Sequence, residues 1–386
     1  MGDRLLVVGG DAAGMAAAAQ ARRRDAKLEI VVMEKGRWTS YSACGIPYLV
    51  AGTVHRLDDL IARTPEEFRA ARIDVRTQHE VTGVDLAGRK AEVRNHAHGR
   101  TFKLGFDMLH IATGALPRRS DIPGADLPHV HGVQTLGDAA ALLDDAAKRR
   151  PRDVVVAGSG YVGLELAEAF VERGASVTVV EAGPEVMGTL DPDMGAIVAS
   201  AMRQMGITVR VGERVESISD RLVQTTEAEL PADLVILGLG VVPDSCLATA
   251  AGLETGVDAA VVVDRQQRTS APGVWAAGDC CQSTHIVSGR PVHVPLGTTA
   301  NKQGRVAGIN MSGGYATFPG VLGTAVTRVC DVEIGRTGLS EREAAQAGFA
   351  PVASRIEATT TAGYMPGASR ITVKLVSEKV GGRVLG

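Results

Sequence analysis

Short apolar runs that stop at a glycine or a carboxylate set the rhythm of this chain. Leu5 to Val8 runs into Gly9-Gly10-Asp11-Ala12-Ala13-Gly14, and an alanine-rich helical stretch follows through Arg24. A run that is apolar at every position, not at alternate ones, predicts a strand buried on both faces. The next run, Ile30 to Met33, ends in Glu34, twenty residues after Gly14. From Glu80 to Gly105 the pattern turns to short alternating segments (HEVTGVDL, KAEVRN, TFKLGF), which predict an antiparallel meander. An apolar strand then ends in Ala112-Thr113-Gly114, where the backbone can approach a ligand closely.

The same order then repeats. Asp153 to Ala157 is strand-like, Gly158-Ser159-Gly160-Tyr161-Val162-Gly163 opens a helix, and Val177 to Val180 ends in Glu181. A second meander around Glu213 to Glu229 leads into a further apolar run, L-V-I-L-G-L-G-V-V-P-D. Strand-like character returns at Val261 to Val263 and in the stretch from Thr269 to Asp279. Past Phe318 a third unit is expected, with strands at Ala325 to Val329, Val332 to Ile334, Ala353 to Ala358 and Ile371 to Val376. Its helix is expected over Ser340 to Ala347. The chain stops at G-G-R-V-L-G in what reads as mid-element, so this third unit is expected to be incomplete.

A strand, a glycine turn and a helix form a nucleotide cradle. Gly9 allows the tight turn, Gly14 allows the helix to lie on the strand, and the free N–H groups of the helix start suit a pyrophosphate. Asp11 stands where the usual pattern has its middle glycine, whereas Gly158 to Gly163 is a full G-x-G-x-x-G. Glu34 and Glu181 follow at the distance at which a carboxylate accepts from ribose hydroxyls. Two such units predict two dinucleotides. Glu181 would repel a 2′-phosphate, which favours NADH over NADPH in the second site.

Bulk properties narrow the class. The 386 residues predict two or three domains, and 45% apolar residues with 46 glycines suit an α/β protein rich in tight turns. A formal net charge of −3 carries no nucleic-acid footprint. Five cysteines without C-x-x-C or zinc-like spacing indicate a reducing compartment and no metal site. With no signal-peptide layout and no bilayer-length apolar stretch, a cytoplasmic protein is expected.

One of those cysteines stands apart. Cys44 lies in Ser40-Tyr41-Ser42-Ala43-Cys44-Gly45-Ile46-Pro47-Tyr48, between small residues and shortly after the first cradle. The run after it predicts a helix with the thiol in its first turn, where free N–H groups favour a thiolate, the nucleophile that attacks disulfides. The alternative is a small buried hydrophobe. For Cys246, Cys280, Cys281 and Cys330 the structural reading leads. The arginines that close the first helix (Arg22, Arg23, Arg24) complement its dipole or lie near whatever approaches Cys44. Thr298 or Thr299 is expected to cap a helix over N-K-Q-G-R-V-A-G-I-N, whose positive end would stabilise negative charge on a bound cofactor.

With two glycine turns, A-T-G-A-x-P, A-A-G-D and Cys44 in this order, the chain resembles the pyridine nucleotide-disulfide oxidoreductases over essentially its whole length. More narrowly it resembles the single-cysteine branch with coenzyme A disulfide reductase, NADH oxidase and NADH peroxidase. Tyr48 and Leu49 follow Cys44 where a C-x4-C pair would need its second cysteine. The resemblance implies an α/β fold of two Rossmann-like dinucleotide-binding domains, for FAD and NAD(P), with an α+β C-terminal dimerisation domain. The expected limits are 1–117 with 240–315 for FAD, 118–239 for NAD(P) and 316–386 for dimerisation. It implies FAD at Gly9, Gly10, Asp11, Ala12, Ala13, Gly14, Glu34, Lys35, Thr113, Gly114 and Asp279, with Val81, Ala112, Gly240, Pro295 and Ala300 as further cofactor contacts. The nicotinamide nucleotide falls to Gly158, Gly160, Tyr161, Val162, Gly163 and Glu181, with Tyr161 matching a gating tyrosine.

Ala12 stands where the oxidases and peroxidases of the branch carry histidine, a departure that points to coenzyme A disulfide or persulfide reductases. Gln20, Arg23, Ser40 and Asn301 match positions that contact coenzyme A there. Ala43 replaces an asparagine that often precedes the cysteine, and a terminal tyrosine pair is reduced to Tyr364-Met365. The implied activity passes a hydride from NADH (or NADPH) to FAD and electrons onward to Cys44, with Tyr364 assisting in a homodimer. Two rivals remain: an oxidase or peroxidase cycling Cys44 through sulfenic acid, and an electron-transfer flavoprotein with Cys44 inert.

Overall fold

The structure is a computed structural model that describes residues 3–118 and 121–386. Two five-stranded parallel sheets carry the two repeats. The first has the order Val274–Ala276, Met108–Ile111, Arg4–Val8, Glu29–Glu34 and Asp74–Thr77. The second runs Thr208–Val211, Ser176–Glu181, Asp153–Ala157, Leu234–Leu237 and Val130–His131. Their central strands are buried on both faces, Leu5 to Val7 fully and Val154 to Ala157 almost so. That is why the sequence shows unbroken apolar runs there and not alternation. Each sheet has a three-stranded antiparallel meander beside it, at His79–Gly105 and Val215–Pro231. The chain leaves the first unit and returns to it through an antiparallel ribbon, Ala115–Pro117 against Val241–Pro243.

Backbone contact fixes the first nucleotide helix. Ala12–Arg24 lies against Gly297–Met311 so closely that a Cβ on Gly304 would come 2.2 Å from the Ala13 carbonyl oxygen, and one on Gly308 2.4 Å from that of Ala17. Only small residues allow this approach, which explains the alanine-rich face.

Several local expectations change. Val261 to Val263 forms no strand, because Val261 meets Thr255 and Cys281 only through single bridges. The helix Gly297–Met311 starts earlier than expected, after Leu296 and without a side-chain cap, so Thr298 and Thr299 lie inside its first turn. The helices Pro65–Ala70 and Leu136–Arg149 went unread although T-x-x-E and T-x-x-D announce their capping boxes, Thr64 with Glu67 and Thr135 with Asp138.

The C-terminal part is built from two hairpins, Ala325–Val329 with Val332–Arg336 and Pro351–Thr359 with Arg370–Glu378, and the helix Glu341–Gln346. Among the contacts that join it to the second unit is one ammonium. Lys374 Nζ lies 2.7 Å from Asp193 and 3.3 Å from Asp191, and also pairs with Glu341. The three carboxylates approach as closely as metal ligands would, and the lysine supplies their cation. Burial works against the Lys374 charge, but Asp193, Glu341 and Asp191 overcome it and raise its pKa. For Asp193 burial pushes upward, and the Lys374 hydrogen bond prevails to hold the carboxyl below its ordinary range.

Removing the lysine strands three carboxylates, one of them the buried Asp191. We predict that Lys374→Met lowers stability by about 3 kcal/mol in chemical denaturation at neutral pH. Because the folded Asp193 pKa is depressed, the wild-type advantage is present above the ordinary aspartate range and is lost as the pH falls through the lowered value. The gap between the two proteins therefore narrows in acid.

Candidate active site

The two glycine turns are built alike. Gly9 has φ +103° and Gly158 φ +93°, so both occupy the region that disfavours side chains. A Cβ on Gly9 would fall 2.0 Å from the Ala112 carbonyl oxygen, and one on Gly14 1.9 Å from that of Gly9. In the second turn a Cβ on Gly158 would lie 2.6 Å from the Gly238 oxygen, and one on Gly163 2.7 Å from the Gly158 oxygen. The carboxylates match as well. Glu34 accepts from the Gly10 N–H (2.7 Å) and the Gly36 N–H (2.6 Å), while Glu181 accepts from Ser159 N–H (2.9 Å) and Oγ (2.5 Å) and from Gly183 N–H (2.7 Å). Burial raises the Glu34 pKa despite these donors.

Around the first turn the structure gathers most of the residues singled out above. Thr39 Oγ1 donates to the Gly10 carbonyl, the Ser40 N–H donates to the same oxygen at 3.0 Å, and the Tyr41 N–H reaches Asp11 Oδ1 at 3.3 Å. Ser40 has φ +50°. Thr113 Oγ1 donates to the Asp244 carbonyl (2.5 Å), and Lys35 Nζ pairs with the Asp244 carboxylate (2.9 Å). Asp244 therefore ties Lys35, Thr113 and Gly114 together, and the sequence reading missed it because only the return of the chain brings it there. Gly278 N–H donates to the buried Gln303 side chain, and His293 Nε2 lies 2.8 Å from the Asp279 carbonyl oxygen. Burial pushes both Asp11 and Asp279 up to about 6. Val81 and Ala300 are buried, Ala112 and Pro295 partly so.

The substrate positions divide between two packed helices and a turn. Gln20 and exposed Arg23 lie on Ala12–Arg24, and exposed Asn301, whose Nδ2 donates to the Gly297 carbonyl, lies on Gly297–Met311. Arg22 is structural: its guanidinium donates to the Asp25, Leu28 and Arg72 carbonyls. At the second turn, half-buried Tyr161 accepts at its hydroxyl from Thr189 Oγ1 at 3.4 Å, Val162 is 40% exposed and Gly240 has φ +81°. Tyr364 projects into solvent at a hairpin tip, 87% exposed.

Cys44 differs from expectation in its local structure. It sits in a single 3-10 turn, Ala43–Gly45, and the α-helix begins after it at Ile46 and runs only to Ala51. The thiol therefore lies just before the first turn of a six-residue helix and not inside it. Partial burial first and the Glu165 carboxylate second hold the thiol above its ordinary value, although the residue keeps solvent access. Cys280, Cys281 and Cys330 are buried, the first two with their sulfurs 3.7 Å apart.

Two nucleotide cradles of this kind need ligands with matching chemistry, and the donors and acceptors fit FAD. Half-buried carboxylates at Asp11, Glu34 and Asp279 suit hydroxyl donors of the kind that ribose and ribityl chains provide, and the starts of Ala12–Arg24 and Gly297–Met311, which have no side-chain cap, offer N–H groups to anions. Comparisons with known proteins agree. A family described as Pyridine nucleotide-disulphide oxidoreductase matches residues 3–304, and its dimerisation domain matches 324–386. The NAD(P)H sulfur oxidoreductase (CoA-dependent) of Pyrococcus furiosus is 37% identical over 389 residues, spanning 99% of this chain and 87% of that protein. An NADH oxidase of Methanocaldococcus jannaschii is 36% identical over 389 residues, spanning 99% and 86%. The solved NAD-dependent persulfide reductase from A. fulgidus superposes with a TM-score of 0.96 at 35% identity, covering 99% of this chain and 72% of that one.

Gly9→Ala tests the first cradle. A strained backbone at this position costs on the order of 1–3 kcal/mol, and where the bound state bears that strain FAD is weakened by about five- to 150-fold. Flavin content and FAD titration of the purified variant report the loss.

Proposed function

Because this chain belongs to the pyridine nucleotide-disulphide oxidoreductases, FAD- and NAD(P)H-dependent enzymes, we propose that it reduces a low-molecular-weight persulfide or disulfide of the coenzyme A class through Cys44. The observation that carries this reading is the position of one solvent-accessible thiol between the cradles. Its segment is bonded to the first glycine turn at Gly10 and Asp11, and the helix after it packs on the helix that follows the second turn. Cys246 is also exposed but begins a separate short helix, and the other three cysteines are buried. Cys44 therefore has no cysteine partner in its own segment, and on this reading its disulfide partner is the ligand.

FAD, when bound, supplies the two-electron relay from NAD(P)H. Gly9 to Gly14 and Glu34 would hold its adenosine half and pyrophosphate, and Lys35, Val81, Ala112, Thr113, Gly114, Gly240, Asp279, Pro295 and Ala300 the remainder. Gly158 to Gly163 and Glu181 would take the nicotinamide nucleotide, with Tyr161 over its entry. Gln20, Arg23, Ser40 and Asn301 would bind the coenzyme A portion. The Cys44 thiolate attacks the sulfur that carries coenzyme A: the substrate S–S bond breaks, and a mixed disulfide forms between Cys44 and coenzyme A. The other sulfur leaves as a thiolate or sulfide that takes up a proton, and the two electrons that originate in NAD(P)H then free coenzyme A and restore the Cys44 thiolate. Names of relatives support this choice: proteins sharing 36–38% identity are called CoA-dependent sulfur oxidoreductases and a CoA polysulfide/persulfide reductase.

A homodimer fits the same reading. Val352, Ile356, Ile371, Val373 and Leu375 line one face of the long hairpin, 39–60% exposed, an apolar surface that a second copy would cover. Tyr364, at the tip of that hairpin, would then act across the interface. Unpaired thiols support a cytoplasmic setting, and no described helix is long and apolar enough to cross a membrane.

Cys44→Ser should lower kcat/KM for coenzyme A disulfide or persulfide on the order of a thousandfold or more, while dye reduction by NADH persists. Rapid NADH consumption with oxygen or peroxide that ignores coenzyme A disulfide would instead select the sulfenic acid cycle. An unmodified Cys44 in the resting oxidised enzyme, by mass spectrometry, would count against the mixed disulfide. With Glu181 already bonded at the second turn, NADH should outperform NADPH in kcat/KM, and Glu181→Ala should shrink the ratio.

A further inference from the structure

The segment from Met187 to Asp191 crosses from the second glycine turn to the C-terminal part and is bonded on both sides. On its inner side the Met187 N–H donates to Ser159, to Oγ at 3.1 Å and to the carbonyl oxygen at 3.2 Å, and Ser159 Oγ in turn donates to Glu181. Thr189 Oγ1 donates to the Tyr161 hydroxyl. On its outer side the Arg342 guanidinium donates to the Gly188 carbonyl at 2.5 Å, and that of Arg336 donates to the Thr189 carbonyl. Asp191 accepts from the Glu341 N–H at 3.1 Å, besides its pairing with Lys374. The outer donors all come from the C-terminal part, whereas the inner partners all belong to the second nucleotide cradle.

Met187 shows how firmly the crossing is held. It is buried and has φ +52°, a backbone region that disfavours residues other than glycine. Such a conformation persists where the surroundings over-determine it, and it recurs at ligand clamps. Gly188 and Thr189, by contrast, are exposed. Packing does little to order them, so the two guanidinium groups on their carbonyls supply that order.

We propose that Met187–Asp191 is a strap through which the C-terminal part preorganises the nicotinamide-nucleotide site, with Arg336 and Arg342 as its positioning residues. The inference rests on the second turn as that site, as proposed above, and adds what keeps it in shape. With the arginines in place, Ser159, Glu181 and Tyr161 are held before a nucleotide arrives. Without them the crossing loosens, and the same groups are ordered at the expense of binding. Affinity for the nucleotide therefore falls, while a nucleotide once bound meets the same groups and reacts at the same rate. The hydride donor's site is complete only when the C-terminal part is seated.

The test uses the FAD-loaded full chain. Isothermal titration calorimetry measures NAD+ binding without turnover, and anaerobic stopped-flow reduction of FAD by NADH gives a dissociation constant and a limiting rate. In the double variant Arg336→Ala with Arg342→Ala both dissociation constants should rise about tenfold, as two lost hydrogen bonds imply, and the limiting rate should stay within about twofold of wild type. Arg342→Ala alone changes an exposed side chain and should give about threefold, and Arg342→Lys, which keeps a donor for Gly188, should return the constants toward wild type. Glu168 accepts from the Cys330 N–H at 2.8 Å, so Glu168→Gln loosens the C-terminal part away from the strap and should leave the constants in place. Unchanged constants in both arginine variants, an equal rise in Glu168→Gln, or a limiting rate that falls as far as the affinity overturns the proposal. No coenzyme A compound enters the measurement, so the outcome is independent of the acceptor; a wild-type chain that NADH fails to reduce would refute the functional reading itself.

Discussion

The packing of the helix Tyr161–Glu172 against the segment after Cys44 is the constraint on which the rest depends. That helix begins at the second glycine turn, so its first residues belong to the nucleotide cradle. Its flank buries Leu164, Leu166 and Ala167 against Ile46, Leu49 and Val50, which fixes the distance between that cradle and the thiol. Its outer carboxylates hold the C-terminal part: Glu165 accepts from Thr327 Oγ1 and Glu168 from the Cys330 N–H. A single element therefore transmits position among three regions that are far apart in sequence, and loss of its packing would release all three.

The cradles themselves are held by backbone contact and not by side-chain bulk. Helix Ala12–Arg24 meets Gly297–Met311 where only glycine and alanine fit, and the turns at Gly9 and Gly158 leave no room for a Cβ. Such sites tolerate almost no adjustment, because the atoms in conflict are main-chain carbonyls. Glu34 and Glu181 reinforce them in the same way, each accepting from an N–H of its glycine turn and from a second N–H two residues beyond itself. The repeat is thus a repeat of hydrogen bonding as well as of sequence.

Electrostatics adds a second kind of order. Acidic groups crowd both the flavin cradle, where burial brings Asp11 and Asp279 up to about 6, and the junction with the C-terminal part. At the junction Lys374 neutralises them, whereas in the cradle the acceptors face a site suited to a polyhydroxyl ligand. The same chemistry serves as glue in one place and as recognition in the other, according to whether the chain supplies the cation.

Much of this was readable in one dimension. Unbroken apolar runs, glycine spacing and a carboxylate at each strand end encode the parallel sheets and both turns, because strand burial and backbone approach impose residue types locally. The exposed hairpin, with Ile356 opposite Val373, was legible from its β-branched runs and not from burial. Asp244, Glu165 and the Lys374 clasp were not, since an aspartate after Pro243 or a lysine in a strand carries no local mark of its distant partner. The thiol's surroundings were misread on the same ground: a proline and an apolar run announce a helix, but its length and the charge facing Cys44 are set by what packs against it. Sequence alone determined where the two strand, glycine-turn and helix units lie, because burial and backbone approach restrict the residue types there. Tertiary structure alone decided what surrounds the Cys44 sulfur, because its partial burial, and after it the Glu165 carboxylate 121 positions away, comes about only when distant elements pack.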